Sequence, residues 1–146
     1  MSEMLGNQYF IARRYADALN ELEKAVQKNP SLKSARKKLI ICYLQTSQLN
    51  NAVNEFYKLV DEDVELILNT DPIRDDCPCP DIIHKMDQEI TGYHNDDEII
   101  KLGILWLYCE IEKSLKYFEK VSPQSEYYNL VDRIIIKLQQ ALKTLN

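Results

Sequence analysis

Along most of the chain, apolar residues recur three and four positions apart, the spacing that puts side chains on one face of a helix. Leu5, Tyr9 and Ala12 form one such series, and Ala18, Leu22 and Ala25 form a second beyond a bend at Arg13-Arg14. Asn29-Pro30 closes the second helix, since proline cannot continue it without losing a hydrogen bond and clashing. Ser31 is expected to cap the next helix, which runs to about Thr46. Ile82, Ile83, Met86 and Ile90 predict a short helix over Asp81 to Ile90, and Gly92 to Asn95 turns the chain. Asp96 then starts a helix reaching Trp106, its Asp96-Asp97-Glu98 start matching the positive end of the helix dipole. Ser122-Pro123 is expected to open a last helix striped by Tyr127, Leu130, Ile134, Leu138, Ala141 and Leu145. The expectation is an all-α chain of seven or eight helices without strands. Hairpins should lie at about 3–28 and 31–62, over a core of Leu5, Tyr9, Ala18, Leu22, Leu39, Tyr43, Ala52 and Phe56.

The first two hairpins repeat each other. At an offset of 34 residues, Leu5, Tyr9, Ala18, Asn20, Glu21, Lys24 and Val26 meet identical residues at Leu39, Tyr43, Ala52, Asn54, Glu55, Lys58 and Val60. Gly6 and Ala18 are small enough for the paired helices to approach closely. Leu5-Gly6, Tyr9, Tyr15, Ala18, Leu22, Ala25 and Pro30, with Leu39, Tyr43, Leu49, Ala52, Phe56 and Leu59, resemble two tetratricopeptide repeats over residues 2–64. Ser2 stands where that family opens with Trp, Ile40 where Gly or Ala is usual, and Val64 where Pro is usual. A degenerate third copy spans about 98–123. There Ile111, Ser114, Phe118 and Val121 keep the second-helix spacing, while Leu102-Gly103 and Trp106 match only after deletion of one residue. The resemblance implies a short helical-hairpin solenoid, read as a single domain over 1–146. Its parts are the repeats at 2–64, an acidic insertion at 65–95, and a hairpin with a terminal capping helix at 96–146.

Composition narrows the function classes. Three glycines in 146 residues are too few for an all-β fold, and no phosphate-cradling glycine motif is present. The net charge of −5 argues against nucleic acid. The charge is uneven: residues 1–60 carry +4, residues 61–100 carry −11, and residues 101–146 carry +2. No apolar run is long enough to cross a membrane, and the start lacks a signal-peptide pattern, so a cytoplasmic protein is expected. Within the acidic segment, Pro72, Pro78 and Pro80 block a continuing helix over 69–80. No activated nucleophile, acid–base pair or cofactor fingerprint stands out, and neither an enzyme nor a cofactor is expected.

Cys77-Pro78-Cys79, with His84 and His94 beyond, is the one cluster with metal-like chemistry. C-x-C is not a usual zinc spacing, and an inert exposed loop explains it more simply, so no metal is assigned. A disulfide between Cys77 and Cys79 is disfavoured, since positions this close seldom place sulfurs well. Cys42 and Cys109 fall in apolar stripes and read as packing residues.

The resemblance also implies a concave groove lined by the first helix of each hairpin. Asn7, Phe10 and Ile11 would face it from the first unit, with Lys37, Lys38, Ile41 and Gln45 from the second. Glu3 and Lys38 depart from the lysine and asparagine with which some family members clamp chaperone tails, so that ligand is rejected. The expected function is a non-enzymatic adaptor or scaffold, holding a peptide or helix with hydrophobic and acidic residues. The alternative is a metal- or redox-responsive regulator built on the Cys77, Cys79 and His84 loop. Ile136 falls outside the packing stripe of the last helix, and a second copy is expected to cover it as a homodimer.

Overall fold

The helical spacing becomes eight helices in the computed structural model, which describes residues 2–89 and 95–145 and shows no strand among them. They are α1 (Ser2–Ile11), α2 (Tyr15–Lys28), α3 (Lys33–Gln45), α4 (Leu49–Leu68), α5 (Cys79–Glu89), α6 (Asp96–Leu107), α7 (Ile111–Glu119) and α8 (Tyr128–Leu145). Ile90 and His94 lie outside the described residues. None of the described helices is long and apolar enough to cross a membrane. The chain forms two compact units, Met1–Leu59 and Val60–Asn146, so the unit boundary falls inside α4.

In the first unit α1 and α2 form a hairpin, and α3 packs on α2 and touches α1. Gly6 sets the spacing of α1 and α2. A Cβ placed there would meet Leu22 Cδ2 at 2.8 Å and Cγ at 2.9 Å, so only glycine permits this approach. The bends share one geometry. Arg13 and Ser47, 34 positions apart, both adopt positive φ (62° and 60°). Arg14 N–H donates to the Tyr9 carbonyl and Gln48 N–H to the Tyr43 carbonyl, each at 2.9 Å, which closes the last turn of the preceding helix. The sequence repeat is thus a repeat of backbone conformation.

Ala18, Leu22, Leu39, Tyr43, Ala52 and Phe56 are buried as expected. Leu5 and Tyr9 are not: Leu5 is 38% exposed and Tyr9 is half-buried. The face of α1 that packs is the one carrying Gly6 and Phe10, because close approach at glycine rotates that side toward α2. Ser31 does not cap α3. Its hydroxyl donates to Asn29 Oδ1 (2.5 Å), and Leu32 holds the cap position without a side-chain bond.

In α4, Asp63 has extended backbone (φ −162°, ψ 76°), and its Oδ1 accepts from Leu66 N–H at 3.3 Å. The carboxylate caps a fresh helical run at this break. In the second unit α6 pairs with α5 and α7, and α7 packs on α8. A capping box starts α6: Asn95 Oδ1 accepts from Glu98 N–H (2.8 Å), and Glu98 Oε1 accepts from Asn95 N–H (3.3 Å). A Cβ on Gly103 would sit 2.9 Å from the Phe118 ring, and Ser114 Oγ donates to the Gly103 carbonyl at 2.6 Å. Gly103 and Phe118 thus pair as Gly6 and Leu22 do, with one residue fewer between them.

The last helix begins at Tyr128, later than the Ser122-Pro123 start expected. Ser122 and Ser125 explain the delay, because their hydroxyls accept from the N–H groups of Gln124 (3.2 Å) and Tyr127 (3.1 Å) and hold the chain in turns. On α8, Val131, Ile134 and Leu138 are buried and Ile136 is 48% exposed. Lys137 Nζ pairs with Asp61 on the later part of α4 at 2.8 Å.

Candidate functional site

The expected groove residues separate into two sets. Phe10 and Ile41 are 1% exposed and belong to the core, so the apolar floor expected from them offers no surface to a ligand. The ring of Phe10 instead meets Tyr15 edge-on at 6.2 Å. Ile11, 54% exposed, stands on the surface. Asn7, Lys37, Lys38 and Gln45 are half-buried.

Lys38 and Gln45 lie on one side of α3, seven residues or two turns apart. The Lys38 ammonium reaches across to α1 and donates to Asn7 Oδ1 at 3.0 Å. That is its one hydrogen bond among the described residues, where no carboxylate pairs with it. A half-buried ammonium meeting only a neutral acceptor keeps most of its field available to an incoming anion. The Gln45 Oε1 atom is buried and accepts no hydrogen bond from the described residues. Arg36, next to Lys37 and Lys38 on α3, is 8% exposed, so the basic residues of this helix are only partly solvated.

A second concavity, of about 380 Å³, opens between α1 and α2, with Tyr9, Asp17, Glu21, Glu23 and Lys24 in its lining. Several of its charged groups already have partners. Arg14 pairs with Asp17 at 2.6 Å and Lys24 with Glu21 at 3.5 Å, while Glu23 accepts from the Tyr43 hydroxyl at 2.9 Å. Burial, then the Glu23 bond and charge, push the Tyr43 hydroxyl well above the ordinary tyrosine range. That bond ties α3 to α2 and contributes to the fold of the first unit.

Cys77 and Cys79 are 8% and 0% exposed, where sequence reasoning placed them on an exposed loop. They are joined as a disulfide, contrary to the expectation that they stay apart, with their Cα atoms 5.4 Å apart. Pro78 between them is buried too, and α5 starts at Cys79 with Pro80 in its first turn. The turn before them is organised by Asp71, whose Oδ1 accepts from Ile73 N–H (3.0 Å) and Arg74 N–H (3.2 Å). His84 is exposed on α5. Among the described residues no three His, Cys, Asp or Glu side chains are grouped to hold a metal ion. Burial pushes the Cys42 thiol up to about 12, as suits a packing residue. Cys109 departs from its expected burial: it lies in the bend after α6 and is exposed.

The bond between Lys38 and Asn7 was not foreseen, although both residues were named, because it depends on α1 and α3 being neighbours. No family model matches the chain, and neither a curated protein nor a solved structure does.

Proposed function

We propose that this chain is a non-enzymatic, cytoplasmic protein-interaction module of the tetratricopeptide type, an adaptor or scaffold. In this reading it holds a peptide or helix carrying carboxylates and apolar anchors against α1 and α3. The observation that carries it is Lys38, a half-buried cation whose bond goes to a neutral amide, with a Gln45 side-chain carbonyl that accepts no hydrogen bond from the described residues two turns along the same side of α3. The repeat reading is supported by the matching bends at Arg13 and Ser47 and by the glycine-mediated approaches at Gly6 and Gly103. Nucleic acid and membranes are not the partners in this reading, and no cofactor takes part.

The test is fluorescence anisotropy with two labelled amphipathic peptides of equal helicity, one Leu/Glu and one Leu/Lys. The Leu/Glu peptide should bind, more tightly at low salt, where screening is least. Lys37→Glu with Lys38→Glu should abolish that preference while circular dichroism stays unchanged, because partly exposed charges contribute little to stability. Equal binding of both peptides, or a reversal variant that binds as before, ends this reading.

A second reading assigns the Cys77–Cys79 loop a redox-responsive role, because the two cysteines are bonded and buried at the start of α5. Dithiothreitol should then change peptide affinity or α5 protection from hydrogen exchange. If neither moves on reduction, the disulfide has no regulatory part.

A further inference from the structure

Helix α1 is apolar on two opposite faces, and only one is covered. Gly6 and Phe10 form the face buried in the unit. At about 100° per residue, Met4, Leu5, Gln8, Ile11 and Ala12 share a sector of about 120° on the other side. There Met4 is 65% exposed, Leu5 38% and Ile11 54%, with Gln8 and Ala12 exposed between and beside them. An amphipathic helix ordinarily shows water a polar face on the side away from its packing partners, and the exposed Met4, Leu5 and Ile11 depart from that pattern.

We propose that this face docks on the same face of a second copy of the chain, α1 against α1 antiparallel about a twofold axis at Gln8. Three observations select that occupant. The stripe reads alike in both directions from Gln8: Leu5 and Ile11 are three residues from it on either side, and Met4 and Ala12 are four. An antiparallel twofold therefore sets Leu5 against the partner copy's isoleucine and brings the two Gln8 amides together, each with a donor and an acceptor. The face also carries its own knob and hole. A cavity of about 270 Å³ lined by Ser2, Met4, Leu5, Gln8 and Glu21 lies at one end, and the protruding Ile11 lies at the other. Finally, the stripe holds no charge, and Glu21 at its rim is paired with Lys24, so two copies meet there without the repulsion that a net charge of −5 creates elsewhere.

A ten-residue helix is about 15 Å long, too short to supply by itself the roughly 800 Å² per partner of a standard interface. The dimer is accordingly a weak one. The dimer face takes Ile11 from the α1 side of the ligand reading but leaves out Lys38, which lies on α3.

Sedimentation velocity on the full chain, from micromolar to millimolar, tests the proposal. The wild-type sedimentation coefficient should rise with concentration. Leu5→Glu with Ile11→Glu should stay monomeric with unchanged circular dichroism, whereas Ile136→Glu and Lys38→Glu should associate like wild type. Gln8→Cys in a Cys109→Ser background should form a disulfide-linked dimer at least tenfold faster than Lys28→Cys in that background. A wild type that stays monomeric throughout overturns the proposal. So does association lost in Ile136→Glu but kept in the α1 double variant, which would place the contact on α8. If the α1 double variant unfolds, the relative cross-linking rates decide.

Discussion

Gly6→Ala sets two known effects of opposite sign against each other at one contact. Alanine is about 1 kcal/mol better than glycine inside an exposed helix, so propensity alone predicts a gain. The new methyl, however, would sit 2.8 and 2.9 Å from Leu22 side-chain carbons and 3.3 Å from the Leu22 backbone nitrogen. Leu22 is completely buried and has little room to swing away, while the nitrogen moves only if α2 moves. Overpacking of this kind costs about 1–3 kcal/mol, so the net effect should be a loss of about 0–2 kcal/mol. At this chain size the unfolding midpoint should fall by a few degrees. A double-mutant cycle identifies the cause. Leu22→Ala alone should cost about 2–5 kcal/mol, and combining it with Gly6→Ala should cost less than the sum by about 0.5–3 kcal/mol, because the methyl occupies space the leucine vacates. Urea unfolding followed by circular dichroism gives all four stabilities. If Gly6→Ala raises stability by about 1 kcal/mol and shows no coupling to Leu22, α1 and α2 are not in the close contact described.

Other consequences follow from single contacts. Ser47→Gly should stabilise the chain by about 0.5–1 kcal/mol, since relief of a left-handed non-glycine residue outweighs the entropy gained by the unfolded chain, and thermal unfolding reads it directly. Because the folded state raises the Tyr43 pKa, its contribution to stability is complete below the unfolded value of ~10 and is lost as pH rises through the folded value. Tyr43→Phe should therefore be less stable near pH 7, where Glu23 loses its donor, and should show a shallower alkaline decline in pH-dependent urea unfolding. Thiol titration of the native chain with a disulfide reagent should find Cys109 reacting and Cys42 protected, and denaturant should release Cys42. Two further thiols should appear only after reduction, and four thiols without a reductant would contradict the Cys77–Cys79 bond.

Helix existence was legible in one dimension because it rests on local periods and breakers. Arg13-Arg14 and Asn29-Pro30 fall at helix ends, Asp96 starts α6, and Gly6 sits where two helices touch. Gly103 and Phe118, one residue closer in sequence than Gly6 and Leu22, also meet across a pair of helices. Local competition was harder to read. The serine hydroxyls at 122 and 125 hold turns where Pro123 alone suggests a helix start, and Ser31 bonds backward to Asn29 rather than forward to α3.

Which side of a helix is inside could not be read where both sides are apolar. In α1 the 3.6-residue period fits Leu5 and Tyr9 as well as it fits Gly6 and Phe10, and only the close approach to Leu22 selects the second pair. That choice moved Phe10 into the core and turned Leu5 outward. The candidate site divides in the same way. The sequence by itself determined that Asn7 and Lys38 are polar residues on helices of successive repeat units. Their meeting at 3.0 Å, the burial of Ile41, and the bond from the Tyr43 hydroxyl to Glu23 required α1, α2 and α3 to be packed together. Periodicity is a property of neighbours along the chain, whereas contact between residues 31 apart is set by the volumes that fill the space between helices.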